Sequence, residues 1–280
     1  MKKLIITADD YGMSPAVNRA IEQTIEAGLV TSTNIMMNMD FCDEAVRLKG
    51  SGASLGLHWV LSCGKPTLTR EQIPSLVAAD GDFYPYPEFR ERYRKGLIRN
   101  EDIERELTEQ YRRYYELMGA PDYWNSHENV HIDFKIYALF VDIAARLGIN
   151  KMRSHQRIHV PGSTNGSDRP LLWRITEPMK SRLLDCWQNN AHKKGIASPD
   201  GMLVLIDRKD AANPEYVFQH VPWGKCRVAE FVIHPAVACD SPYFGEIVDR
   251  RIREYRLFTS DSIKKVLDDA GIQLVNYDAL

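Results

Sequence analysis

Two adjacent carboxylates, Asp9 and Asp10, follow the apolar run Leu4-Ile5-Ile6-Thr7-Ala8. Burial and mutual repulsion both oppose ionising such a pair. A bound cation removes both objections. If strand geometry persists, the two side chains point to opposite faces. If the chain turns there, both reach one cleft, where one can bind a metal and the other can handle a proton. The plain alternative is a helix start, because Ser14-Pro15 follows and acids favour helix N-termini. Three histidines share the placement: His58, His127 and His234 each close a strand-like run. Any one of them could be an ordinary buried histidine. Together they suggest a shared carboxylate–imidazole–imidazole site with one open face, the donor set of a catalytic divalent metal. Such an ion polarises a carbonyl and acidifies water, which is the chemistry of hydrolysis.

The elements that must position these residues alternate along the chain. Residues 4–8 read as a buried strand. Ser14 caps a helix, Pro15 suits its first turn, and Gly28 stops it. Strand signals recur at 31–37, 54–58, 123–126, 149–153, 202–206, 228–234 and 271–275. Helical spacing marks 43–48, 100–118 with Asn100 as cap, 134–147, 171–190, 247–257 and 262–270. Repeated βα units with buried apolar strands imply an α/β fold with a mostly parallel sheet or barrel. In such sheets ligands meet the C-terminal strand ends, where Asp9, Asp10, His58, His127 and His234 fall. The loops 59–86 and 156–170 are long enough to act as lids or substrate walls. No internal repeat or low-complexity linker divides the 280 residues, so one domain is expected.

Bulk properties narrow the function classes. With 36 basic and 38 acidic residues the net charge is −2, which offers no field for nucleic acid. No segment approaches the ~20 apolar residues that span a bilayer, and the apolar run after Met1-Lys2-Lys3 is broken by Asp9-Asp10, unlike a signal peptide. Cys42, Cys63, Cys186, Cys226 and Cys239 are scattered, odd in number and without a CxxC pair. That pattern fits reduced thiols in the cytoplasm better than disulfides or a cysteine zinc site.

Four motifs appear in order: IITADDYGMS, LGLHWVLSCGKP, NSHENVH and EFVIHPAV. In combination they resemble the YdjC-type carbohydrate deacetylases, a family that includes a chitooligosaccharide deacetylase. The resemblance runs from residue 3 to about 277, including the GIQLVNY end. It implies a distorted β/α barrel and hydrolysis of an acetamido group on an amino sugar, with acetate released and no covalent enzyme intermediate. It also implies roles: Asp10, His58 and His127 as metal ligands, Asp9 as catalytic base, His234 as general acid. It favours magnesium, whereas two imidazoles favour zinc or another transition metal. One stretch departs from the family pattern Asp-Ser-His-x-His-x-His: Asn125 replaces the leading aspartate and Asn129 the middle histidine. Loss of that anionic neighbour is expected to loosen the orientation of His127.

Lesser candidates surround these. His131, four residues after His127, is assigned a supporting or substrate role rather than ligation. Arg153 follows a strand signal and is a candidate for binding a sugar hydroxyl or phosphate. Tyr84 lies in an aromatic, turn-rich loop able to stack on sugar faces, and Trp59 could wall the site beside His58; packing is the simpler alternative for both. His155 and His159 fit a polar loop better than a second metal site. The expected partner is a small acetylated saccharide, such as a chitooligosaccharide or its phosphate; a homodimer is left open. Two competing readings remain. One is a metallohydrolase of another bond such as a phosphoester, since an open Asp-His-His site does not choose the bond. The other is a non-catalytic sugar binder, for which five retained polar groups have no evident use.

Overall fold

The computed structural model of the protein describes residues 2–133, 135–158, 160, 171–203 and 214–280. Its centre is strand β1, Lys2–Tyr11, whose Leu4, Ile5, Ile6 and Ala8 are fully buried. β1 pairs in parallel with β7 (Val228–Ile233) along one edge. The other edge is shared: β8 (Ile272–Leu274) takes its start, and β2 (Ser32–Ile35) takes its end. The sheet continues from β2 to β3 (Ser54–Trp59) and β4 (Trp124–Ser126), and from β7 to β6 (Gly201–Leu203) and β5 (Arg157–Ile158). Every named pairing is parallel. Residues 149–153, expected as a strand, form only isolated parallel bridges: Trp124↔Met152 towards β4 and Lys151↔Ala197 towards the approach to β6. These bridges carry the curled sheet across the gap between β4 and β6, giving the distorted β/α barrel.

Side-chain alternation fills the barrel with polar groups. Ile5, Thr7 and Asp9 of β1, Ser32 and Asn34 of β2, Gly56 and His58 of β3, Asn125 of β4, and Val228 and Glu230 of β7 recur at period two and point the same way. At the bottom Ile5 and Val228 pack with Tyr123 and Tyr277, whose rings stack 3.7 Å apart. Gly56 is required there, because a Cβ would lie 2.5 Å from the Tyr123 ring. One layer up, Thr7 donates to Glu230 (2.7 Å) and Ser32 to the Tyr123 hydroxyl (2.8 Å). The top layer holds Asp9, Asn34, Asn125 and His58. Leu4, Ile6 and Ala8 face the other way, into the main apolar core under the helices.

The helices follow from local chemistry. In α1 (Pro15–Glu26) Ser14 accepts from Val17 N, Pro15 opens the first turn, and Val17, Ala20 and Ile21 are buried. α3 (Asn100–Met118) has Arg99 rather than Asn100 at its cap, and buries Ile103 and Leu107 beside three polar residues. Those three fasten the long loop after β3. Asp102 binds Ser75, Glu106 binds Thr67 and Leu68, and Gln110 binds Val60. The loop is thus tied down along much of its length, not free to swing as a lid. It ends in α2 (Tyr86–Arg94), a helix the apolar pattern hides because only Phe89 is buried, although Glu88 at its start and Arg92 and Arg94 at its end complement the helix dipole. α4 (Tyr137–Arg146), α5 (Leu171–Lys193), α7 (Val248–Leu257) and α8 (Asp261–Asp269) lie where expected, and α6 (Pro214–His220) is additional. His159, most of the loop 156–170 and the end of the expected strand 202–206 fall outside the described residues. Among the described residues no helix is long and apolar enough to cross a membrane.

Candidate active site

Asp9 and Asp10 both enter one cleft because β1 breaks its regular geometry between them. Thr7 and Ala8 pair with Ser32 and Thr33, but Tyr11 pairs with Ile35, so β1 carries one extra residue there. Asp10 sits at φ 77°. Asp9 keeps its interior position, and the left-handed Asp10 turns its carboxylate to the same side. The only other non-glycine residues at positive φ among those described are Glu128 and Asn129, both at 53°. They follow His127 directly in the short helical turn His127–Ile132. Such conformations cost free energy and persist where surrounding structure enforces them. Here they flank the same cluster.

Asp10 Oδ1 lies 3.3 Å from His58 Nε2 and 3.2 Å from His127 Nδ1. The three residues can each offer a ligand atom within 4.8 Å of the others. His58 ends β3 and His127 follows β4, so adjacent parallel strands deliver both imidazoles to one rim. The two rings meet nearly edge to face, 5.6 Å apart. Asp10 Oδ2 is held by Arg251 Nη2 at 2.5 Å, which leaves Oδ1 for the imidazoles. Burial alone would raise the Asp10 pKa; Arg251, His127 and His58 reverse this and hold it well below the carboxylate range. Burial lowers the His127 pKa, but hydrogen bonding and charge from Asp10 and Cys63 outweigh it and raise it well above normal. A carboxylate oxygen between two imidazole nitrogens is a donor set that fits a divalent cation.

Asp9 is clamped by three hydrogen bonds from two side chains. Arg153 Nη1 and Nη2 donate to its two oxygens at 2.7 and 2.6 Å, and Asn34 Nδ2 donates at 2.5 Å. Burial opposes its charge, but Arg153 prevails, aided by His58 and His234, and the pKa falls to about 2. His234, directly after β7, points Nε2 at Asp9 Oδ2 from 3.8 Å. Its backbone N–H donates to Glu254 at 2.6 Å, and its Nδ1 is buried without a hydrogen-bond partner among the described residues. Burial lowers the His234 pKa below the ordinary value, against the pull of Asp10 and Asp9.

The four residues suggested as sugar contacts take other places. Arg153 is buried and spent on Asp9 and on Glu230 at 3.1 Å, so it orients a carboxylate. Trp59 is fully buried, donates Nε1 to Leu107 O at 3.0 Å and packs on Trp124 and Phe140. His131 is fully buried between Ser126 Oγ (2.5 Å) and His155 Nδ1 (3.2 Å). Burial and the nearby His155 and Arg153 hold His131 well below the usual imidazole range. Tyr84 is half-buried under the Arg92 guanidinium, 4.1 Å from its ring centre. Asn125 touches His58 rather than His127, because β3–β4 register sets it opposite His58. Sequence reasoning missed Asn34, Glu230 and Arg251. Asn34 and Glu230 are polar residues inside buried strands, a readable signal; Arg251 is one of several arginines on a polar helix and carries none.

A family model described as YdjC-like protein matches residues 3–269. A protein of Geobacillus stearothermophilus named carbohydrate deacetylase is 28% identical over 98% of this chain and 96% of its own. A chitooligosaccharide deacetylase of Escherichia fergusonii is 28% identical over 98% of this chain and 97% of its own. A crystal structure from Enterococcus faecalis V583, described provisionally as a cellobiose-phosphate cleavage protein, superposes with a TM-score of 0.75 at 26% identity, over 99% of this chain and 98% of the other.

Proposed function

The chain belongs to the YdjC-like family, and from that footing we propose that it is a metal-dependent carbohydrate deacetylase. It acts as one domain and hydrolyses the acetamido group of an N-acetylated sugar, a short chitooligosaccharide or its phosphate, to an amine and acetate. The observation that carries this reading is the convergence of Asp10, His58 and His127 within 4.8 Å, beside a clamped Asp9 and a facing His234. Whole-length similarity to proteins named as deacetylases supports the choice of bond. All five cysteines are free, which suits a reducing compartment, and we place the protein in the cytoplasm.

Asp10, His58 and His127 would hold the cation. When bound, it supplies Lewis acidity that polarises the acetyl carbonyl and makes water a better nucleophile. The donor set admits magnesium, which the family resemblance favours, or zinc, which two imidazoles favour. Arg251 fixes which oxygen of Asp10 faces the imidazoles. Arg153 and Asn34 keep Asp9 ionised and aimed, so it is ready to accept the proton of the attacking water. A carboxylate this weakly basic does not retain that proton. His234, neutral near pH 7 because its pKa lies below normal, faces Asp9 from 3.8 Å; once the pair closes to hydrogen-bond distance it takes the proton and delivers it to the departing amine. Water oxygen adds to the carbonyl carbon, the C–N bond breaks, and the amine gains the proton; acetate leaves without an acyl-enzyme.

The test is a parallel screen of acetate release from N-acetylated chitooligosaccharides and phosphate release from phosphomonoesters. Acetate without phosphate supports the deacetylase. Phosphate alone would move the same centre to a phosphoester, and binding without either product would leave a sugar-binding protein.

A further inference from the structure

Asn125 stands between His58 and the Asp9–Arg153 pair, and its amide can face them in two ways. One end touches His58 Nδ1 at 2.6 Å; the other meets Asn34 Nδ2 at 3.0 Å and Arg153 Nη1 and Nη2 at 2.8 and 3.0 Å. Those three neighbours are all donors, and a guanidinium has no acceptor. An amide oxygen satisfies them. An amide nitrogen would set donor against donor three times in a buried site. The hydrogen-bond network therefore turns the oxygen to Arg153 and Asn34 and the NH2 group to His58. An amide NH2 only donates, so His58 Nδ1 is the lone-pair nitrogen and the ring proton sits on Nε2. That N–H faces Asp10 Oδ1 at 3.3 Å, a donor meeting an acceptor.

A cation held with Asp10 and His127 needs the lone pair on Nε2. The ring proton must then move to Nδ1, where it faces the NH2 of Asn125. Turning the amide relieves that contact but aims NH2 at Arg153 and Asn34. Either way one buried polar contact is lost on metal entry. We propose that Asn125 is a positioning residue that holds His58 of the metal-free protein in the Nε2–H tautomer and thereby weakens metal binding. A carboxylate at this position would accept from Arg153, Asn34 and a protonated Nδ1 together, removing the conflict. The tautomer half stands on geometry alone; the affinity half rests on the metal centre proposed above.

The test uses full-length protein with 15N-labelled histidine rings and long-range 1H–15N spectra of the metal-free form, His58 being assigned by its loss in His58→Gln. The wild type should show a protonated Nε2 and a bare Nδ1, and Asn125→Asp the reverse. Zinc titration should give binding about 10–100-fold tighter in Asn125→Asp, the usual range for partners that orient a ligand imidazole. Added negative charge alone would tighten binding without moving the ring proton, so the two readouts separate. A wild-type His58 protonated on Nδ1 overturns the inference with the metal centre intact, and is seen without any Asn125 variant. Tautomers that switch as stated in proteins that bind no zinc would support the tautomer half and overturn the metal half.

Discussion

Arg153→Met should destabilise the fold strongly at neutral pH and less so in acid. Arg153 is 2% exposed and makes two bonds to Asp9 and one to Glu230, both themselves buried. Removing one partner of a buried ion pair costs about 3–5 kcal/mol, because the remaining charge is left uncompensated. Here two carboxylates lose the same cation. Asn34 still serves Asp9 and Thr7 still serves Glu230, which keeps the expected cost within that range. The pH dependence follows from Asp9. Its folded pKa of about 2 lies below the reference 3.8, so it contributes stability above pH 3.8 that is lost as pH falls towards 2. The difference corresponds to about 2 kcal/mol. Without Arg153, burial dominates and the Asp9 pKa rises above 3.8. The folded variant then binds a proton more tightly than its unfolded chain, so its deficit shrinks as pH falls. Urea unfolding of metal-free protein, followed by tryptophan fluorescence near pH 7.5 and pH 4.5, measures both terms. A deficit below about 1 kcal/mol, or one of equal size at both pH values, would refute the clamp as a buried ion pair.

Asp9→Asn should keep metal affinity, checked by titration, yet lose about 10²–10⁴-fold in turnover, because an amide cannot accept the water's proton; near-normal acetate release would reject the base. His234→Ala should lower kcat more than metal affinity, and should harm substrates with poor leaving groups more than those with good ones; equal losses would leave His234 a mere brace. The pH profile of kcat/KM should fall on the acid side, at a pKa below the ordinary 6.5, as His234 fills with a proton before the reaction needs it. A fall on the alkaline side at that pKa would mean that His234 enters the reaction protonated.

Much of the fold was legible because apolar strands and amphipathic helices write their periods into sequence. The interior of the barrel was less so. Its period-two polar positions, Thr7, Asn34, Asn125 and Glu230, satisfy one another across strands that lie far apart in sequence. The site's strand-end residues could be read from placement, but the bulge that swings Asp10 beside His58 could not. Nor could Arg251, which reaches Asp10 from a helix 241 residues away. Trp59, His131 and Arg153 are candidates for touching a substrate by their place in the sequence, yet all three are buried, because sequence neighbours of a site need not face it. Alternation puts Trp59 behind His58, in the core against Trp124, and Arg153 answers two buried carboxylates that no local pattern announces.

The central claim is that Asp10, His58 and His127 hold a cation that this hydrolysis requires. Acetate release from an N-acetylated chitooligosaccharide, by protein stripped with a chelator and then reloaded with magnesium or zinc, tests it most directly when Asp10→Asn is run alongside. The account predicts release that disappears on stripping, returns on reloading, and stays low in Asp10→Asn with reduced metal occupancy. Undiminished release from the stripped protein, or full activity in Asp10→Asn, would contradict it.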